Sequence, residues 1–220
     1  SMEVGLCAPL SRAQVIELCE QTLATLPPRP QVSPLKPDPV AIAPVDLDEE
    51  IEGIEQPSVL VAYALSTSLT SPTARALRIA GDLLETRLRA VLPSGRTAAR
   101  FEAHAGPGRN AIFYAVVIDG PPDAETTIES EIARLASEPC EADEVARLGT
   151  QRGDRLRKSL EDSGFWAAIL ADRDRLRIDL DELIAGPHVY RTMTPQRVRD
   201  ALHEAASKNA RIRISVHPPP

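Results

Sequence analysis

Four histidines, three cysteines and scattered carboxylates are the residues of this chain whose types could carry chemistry, so their spacing is decisive. His203-Glu204 opens the zinc sequence His-Glu-x-x-His, which sets two imidazoles one helical turn apart on a metal, but Ser207 stands where the second histidine belongs. His104 and His188 each begin the inverted order His-x-x-Glu-His, and both fail it: Pro107 and Gly108 occupy the needed places after the first, Arg191 and Thr192 after the second. His217 runs out of chain. Gly-x-Ser-x-Gly, a phosphate-cradling glycine loop and Cys-x-x-Cys are absent as well. Gly106-Pro107-Gly108 is the densest glycine stretch and is explained by a hairpin between two strands. Cys7, Cys19 and Cys140 are odd in number and far apart, which excludes a full disulfide framework and makes buried free thiols the expectation. Local spacing therefore assigns no catalytic residue and no metal ligand, and it leaves substrate-binding residues open.

Composition narrows the class. The chain has 220 residues, 43% hydrophobic and 26% charged, enough to bury a core of one or two domains. A net charge of −7 and only 3% aromatic residues oppose nucleic-acid binding, which needs basic patches and stacking platforms. No apolar run approaches the about 20 residues that span a bilayer. Ser1-Met2 reads as an expression scar, so a targeting segment upstream stays open and the compartment is not assigned.

The elements that must position any site begin with Val59 to Leu65, apolar on both alternating faces and so a strand covered on both sides. Ser71 and Pro72 cap a helix in which Thr73, Leu77, Ala80, Leu84, Leu88 and Val91 form one apolar stripe, ended by Pro93-Ser94-Gly95. Ala98 to Ala105 and Ala111 to Ile118 make a hairpin, and Ile128, Ile132 and Leu135 face inward from the next helix. A long helix from Ala142 to Asp162 turns Val145, Leu148, Leu156 and Leu160 inward. Arg147, Arg152, Arg155, Arg157 and Lys158 on its other faces read as solvated side chains rather than a polyanion site. Beyond Gly164 come a helix with Phe165, Trp166, Ile169 and Leu170, and another with Leu176, Leu180, Leu183 and Ile184 that stops at Gly186-Pro187. Thr194-Pro195 caps a last helix carrying Val198, Leu202 and Ala205, and Arg211 to Val216 alternates as a strand with one covered face. Upstream, Val4 to Cys7 reads as a strand and Ser11 caps a helix to Leu26. Val40, Ile42 and Val45 to Ile51 supply an edge strand with Asp46, Asp48, Glu49 and Glu50 as a solvated rim.

This order, with several local phrases, resembles the second, non-zinc domain of the pitrilysin/insulinase-type zinc peptidases, a family that includes the mitochondrial processing peptidase subunits. The phrases are Ala64-Leu65-Ser66, the helix Arg75 to Leu88, the hairpin through Phe113, Pro122-Asp123, Glu141-Ala142-Asp143-Glu144-Val145, Ser163-Gly164-Phe165-Trp166, Met193-Thr194-Pro195-Gln196-Arg197-Val198 and Arg211 to Pro218. The resemblance implies an α+β fold, an antiparallel β-sheet backed by helices on one face. Residues 1–28 would close a preceding domain, 29–39 would be a proline-rich linker, and 40–220 would form the second domain. It places zinc in a companion domain or subunit and none in this chain, with a peptide as substrate; self-pairing of the fragment stays open. Members carry an Arg shortly before a glycine and a Tyr shortly after it to hold substrate. If Gly95 is that glycine, Val91 and Ala98 stand in those places, and neither Arg87, Arg89, Arg96 nor Arg100 takes the role by register. The expected function is a non-catalytic C-terminal domain, chamber wall and docking surface of a zinc metallopeptidase. The alternative is an inactive structural or interaction protein on the same fold.

Overall fold

The structure is a computed structural model that describes residues 6–24, 26, 43–106, 109–176, 178–209 and 211–219, without the side chains of 103–106, 109–110 and 174–176. Its elements run α1 (Arg12–Thr22), β1 (Val45–Glu50), β2 (Ser58–Leu65), α2 (Pro72–Val91), β3 (Arg96–Gly106), β4 (Arg109–Ile118) and α3 (Ala124–Ser137). Then follow α4 (Ala142–Ser159), α5 (Ser163–Leu176), α6 (Leu180–Arg191), α7 (Pro195–Lys208) and β5 (Arg211–His217). Caps written in the sequence are made in space: Ser71 Oγ accepts from the Ala74 N–H at 3.1 Å, and Thr194 Oγ1 from Arg197 at 3.3 Å, each just before a first-turn proline. The expected strand at Val4 lies partly outside the described residues, and residues 6–10 form none; the linker, Val40 and Ile42 lie outside them entirely.

The five strands form one sheet in the order β1-β5-β2-β4-β3. The α+β architecture is as anticipated, with one addition: β1 runs parallel to β5, so the sheet is mixed while the other pairings are antiparallel. Hydropathy cannot distinguish the two directions. Asp46 and Asp48 stay exposed, as a solvated rim should, and also pair with β5: Arg213 reaches Asp46 at 2.5 Å and His217 stands 3.2 Å from Asp48.

Register assigns the faces. Val61 and Tyr63 lie opposite Ala115 and Phe113, which lie opposite Ala99 and Phe101, and all are buried in the core beneath α2, α3 and α7. The helical stripes fill the other side, with Leu77, Ala80, Leu84 and Leu88 of α2, Ile128, Ile132 and Leu135 of α3, and Val198, Leu202 and Ala205 of α7 all buried. Val91 departs from the expected stripe and is 49% exposed, while Leu88 and Leu92 on either side of it are buried, so it lies on the outer side of the last turn.

Two further expectations are corrected. Gly164 lies inside α5 rather than before it, and α6 continues through Gly186-Pro187 to Arg191, leaving Ile184 exposed and placing Leu176 at the end of α5. Proline inside a helix removes one hydrogen bond, but here close packing on α4 outweighs that loss: a Cβ on Gly153 would come within 2.9 Å of the Pro187 carbonyl oxygen, and one on Gly149 would overlap that of Tyr190.

The thiols also differ from expectation: Cys7 is exposed, Cys19 half-buried and Cys140 buried. Burial pushes the Cys140 thiol above its ordinary value, outweighing the opposing charge of Arg87. A higher pKa leaves less thiolate at neutral pH, and packing excludes the reagent. Cys7 and Cys19 are therefore expected to react with a soluble disulfide reagent in the native protein and Cys140 only on unfolding, read by mass spectrometry. Equal labelling of all three would contradict this packing.

Candidate functional site

The helix-free face of the sheet is where the sequence and the packing disagree most. Strand β5 was read as having one covered face, without a choice between its two sides. Register puts Arg211 and Arg213 opposite Tyr63 and Val61 on the helix side, and Ile212, Ile214 and Val216 opposite Ala62, Leu60 and Ser58 on the other. Arg213 Nε stands 2.7 Å from Glu125 of α3, and Arg211 pairs with Glu129 of the same helix. Charged residues of β5 thus meet the helices through ion pairs, and its isoleucines face away.

Neighbouring strands extend that apolar surface. Leu60 of β2, Ile112, Tyr114, Val116 and Ile118 of β4 and Ala98 of β3 share the face by register, all half-buried. Val45 and Leu47 of β1 continue it at 42% and 38% exposed. Burial raises the Tyr114 hydroxyl above its ordinary value, with Glu102 adding to the effect. The patch runs across β1, β5, β2 and β4 and ends at β3, where Ala98 shares the face with Arg96, Arg100 and Glu102, and it exceeds what scattered surface residues account for. Among the described residues helix α1 buries none of its own, and its Ile16 and Leu18 are exposed, as is Leu10 just before it.

The arginines near the hairpin entry are engaged within the chain. Arg87 stands 4.0 Å from Glu131, Arg89 and Arg100 both pair with Glu85, and Arg96 donates to Gln56 Oε1 at 2.5 Å. Gly95 lies in the turn between α2 and β3, while Ala98 sits on the helix-free face. Of the histidines, His188 and His203 are exposed on α6 and α7, and the side chain of His104 lies outside the described ones. Among the described residues no group of three or more His, Cys, Asp or Glu is placed to hold a metal ion.

What sequence reading missed is a cluster of guanidiniums in the helical layer. Arg152, grouped with solvated residues, donates twice to Asp82 of α2 at 2.6 and 2.7 Å, and Arg155 lines a cavity beside it. Burial acts to lower the Arg152 guanidinium, but the Asp82 carboxylate outweighs it and the net shift is upward. Arg75 of α2 is 2% exposed, and burial pushes its guanidinium below the ordinary arginine value. The signal was present in the spacing: Arg75, Ile79 and Leu83 recur every four residues, as do Leu148, Arg152 and Leu156. Each set places an arginine on a covered stripe.

No family model matches the sequence, and no curated protein matches it either. Solved structures do. The peptidase M16 inactive domain from Pseudomonas fluorescens superposes with a TM-score of 0.74 at 14% identity, covering 96% of this chain and 52% of that one. The periplasmic protease PqqL from Escherichia coli gives 0.73 at 15% identity over 96% of this chain and 25% of its own. A protease from Helicobacter pylori gives 0.71 at 14% identity over 96% and 54%. The chain thus spans about half of two of these proteins and a quarter of the third. Its fold is that of the M16 peptidase inactive domain.

Proposed function

We propose that this chain is a non-catalytic C-terminal domain of a zinc-dependent metallopeptidase, acting as chamber wall and docking surface for a zinc-bearing homologous domain or subunit. The observation that carries the reading is the uncovered sheet face. Its isoleucines, valines and tyrosine form one apolar wall, while the charged residues of β5 are neutralised on the opposite side. Apolar surface of this extent stabilises a complex when a second surface displaces its water. The exposed apolar residues of α1 are taken to pack against the preceding domain. Metal-activated water and a general-base carboxylate would come from the companion, which this chain would help to enclose.

The test combines association with hydrolysis. Alone, the 220-residue chain is expected to hold no stoichiometric zinc and to cleave no peptide. Mixed with the zinc-bearing domain encoded with it or beside it, it should restore chelator-sensitive cleavage. Ile214→Asp, which puts an unpaired charge on the apolar wall, should weaken that association at least about tenfold while leaving the fold intact. Stoichiometric zinc with chelator-sensitive cleavage by the isolated chain would overturn the proposal. So would association indifferent to Ile214→Asp.

A further inference from the structure

We infer that the cavity among α2, α4, α5 and α6 is a binding site for a small amphiphile with an anionic head, carboxylate or phosphate, and an apolar body. It measures about 310 Å³, at the lower end of the roughly 300–1,000 Å³ typical of small-molecule sites. Leu156, Phe165, Ile169, Ile178 and Leu183 make its apolar walls, and Arg75, Arg78, Arg152 and Arg155 supply its charge. No Asp or Glu is among its described lining residues.

The charge balance within the protein is incomplete there. Arg152 is neutralised by Asp82. Arg75 is not: its Nη2 donates to the main-chain oxygen of Glu182 at 2.7 Å and its guanidinium lies 5.7 Å from the Tyr190 ring centre, while Nε and Nη1 are buried without an acceptor. The Glu182 carboxylate offsets it only in part: burial still outweighs its charge, and its oxygen accepts from Ser68 at 3.2 Å and Thr70 at 3.1 Å rather than from Arg75. Arg78 uses one nitrogen on the Leu69 carbonyl at 3.0 Å and rests on the Phe101 ring.

A buried cation without a contacting ion pair is costly, and an anion in the adjoining space reduces that cost through the low local dielectric. Guanidinium forks match carboxylate and phosphate oxygens alike. Inorganic anions would leave the apolar walls unused, and a neutral apolar molecule would leave the arginines uncompensated. An amphiphile satisfies both. Arg78 and Arg155, less buried than Arg75, would contact the head, with Arg75 contributing field from behind. This site is separate from the helix-free sheet face and stands whether or not that face docks a companion.

The experiment titrates the 220-residue chain with decanoate, decyl phosphate, decanol and inorganic phosphate, by calorimetry and by amide chemical-shift mapping. Saturable one-to-one binding of decanoate or decyl phosphate is expected, with shifts centred on α4, α5 and α6; the tighter of the two identifies the head group. Decanol and inorganic phosphate should each bind at least about tenfold more weakly. The variant Arg78→Gln with Arg155→Gln should lose at least about tenfold in affinity, and Arg78→Lys, which keeps the charge, should retain most of it. Absence of saturable binding by both anionic amphiphiles would overturn the inference. Equal binding of decanol, or affinity unchanged in the double variant, would do the same.

Discussion

Phe113→Ala is expected to remove about 3–5 kcal/mol of folding stability, a large part of what a domain this size possesses. Phe113 is fully buried in the middle of β4, directly opposite Tyr63 on β2 and Phe101 on β3. Truncation leaves a cavity between sheet and helices that these neighbours, fixed by their ladders, cannot collapse to fill. Urea unfolding would report the loss as a lower midpoint at constant slope. The next residue supplies the control. Tyr114 lies on the helix-free face, so Tyr114→Ala should cost only about 1 kcal/mol in the isolated chain and be felt mainly in association. Similar losses for both variants would mean that the second face is already covered and would remove the basis of the docking proposal.

Gly149→Ala is expected to cost about 3 kcal/mol, at the upper end for overpacking by one methyl. The added Cβ would overlap the Tyr190 carbonyl oxygen, a main-chain atom that moves only if α4 and α6 separate. One turn later Gly153 faces the Pro187 carbonyl in the same way, so the two helices cannot tilt to relieve the first contact without tightening the second. Because Tyr190 also lines the arginine cavity, separation would widen it, and the variant should bind anionic amphiphiles more weakly as well as melt earlier. Gly164→Ala is the contrast: the one near atom is a side-chain oxygen, Asp162 Oδ1, which accepts from the Gly164 N–H at 2.7 Å and can shift by a few tenths of an ångström, and alanine in place of glycine within α5 should be neutral or stabilising by up to about 1 kcal/mol. A neutral Gly149→Ala would disprove the close crossing.

Much of the architecture was legible because it rests on local rules. Ser71-Pro72 and Thr194-Pro195 satisfy helix-start hydrogen bonds within four residues, and the spacing of Leu77, Leu84 and Leu88 needs only the pitch of a helix to define an inward side. The helix through Gly186-Pro187 was not legible, since what sustains it is α4, about 35 residues earlier in the chain. The arginine cluster was half legible. Four-residue spacing puts Arg75 and Arg152 on covered stripes, but whether a buried guanidinium has a counter-charge depends on Asp82 and Glu182 arriving from other helices.

By itself the sequence determined where most helices and strands of the central stretch lie and that no short-range metal motif occurs in it, because each of these follows from spacing along one segment; the α+β arrangement was implied by the family resemblance rather than by spacing. Tertiary structure alone decided that β1 pairs parallel with β5, that the isoleucines of β5 turn away from the helices, and that one cavity gathers arginines from two helices. An alternating strand defines two faces but carries no label for which is covered; the ion pairs of Arg211 and Arg213 with Glu129 and Glu125 of α3, distant in sequence, go with the charged face turned to the helices.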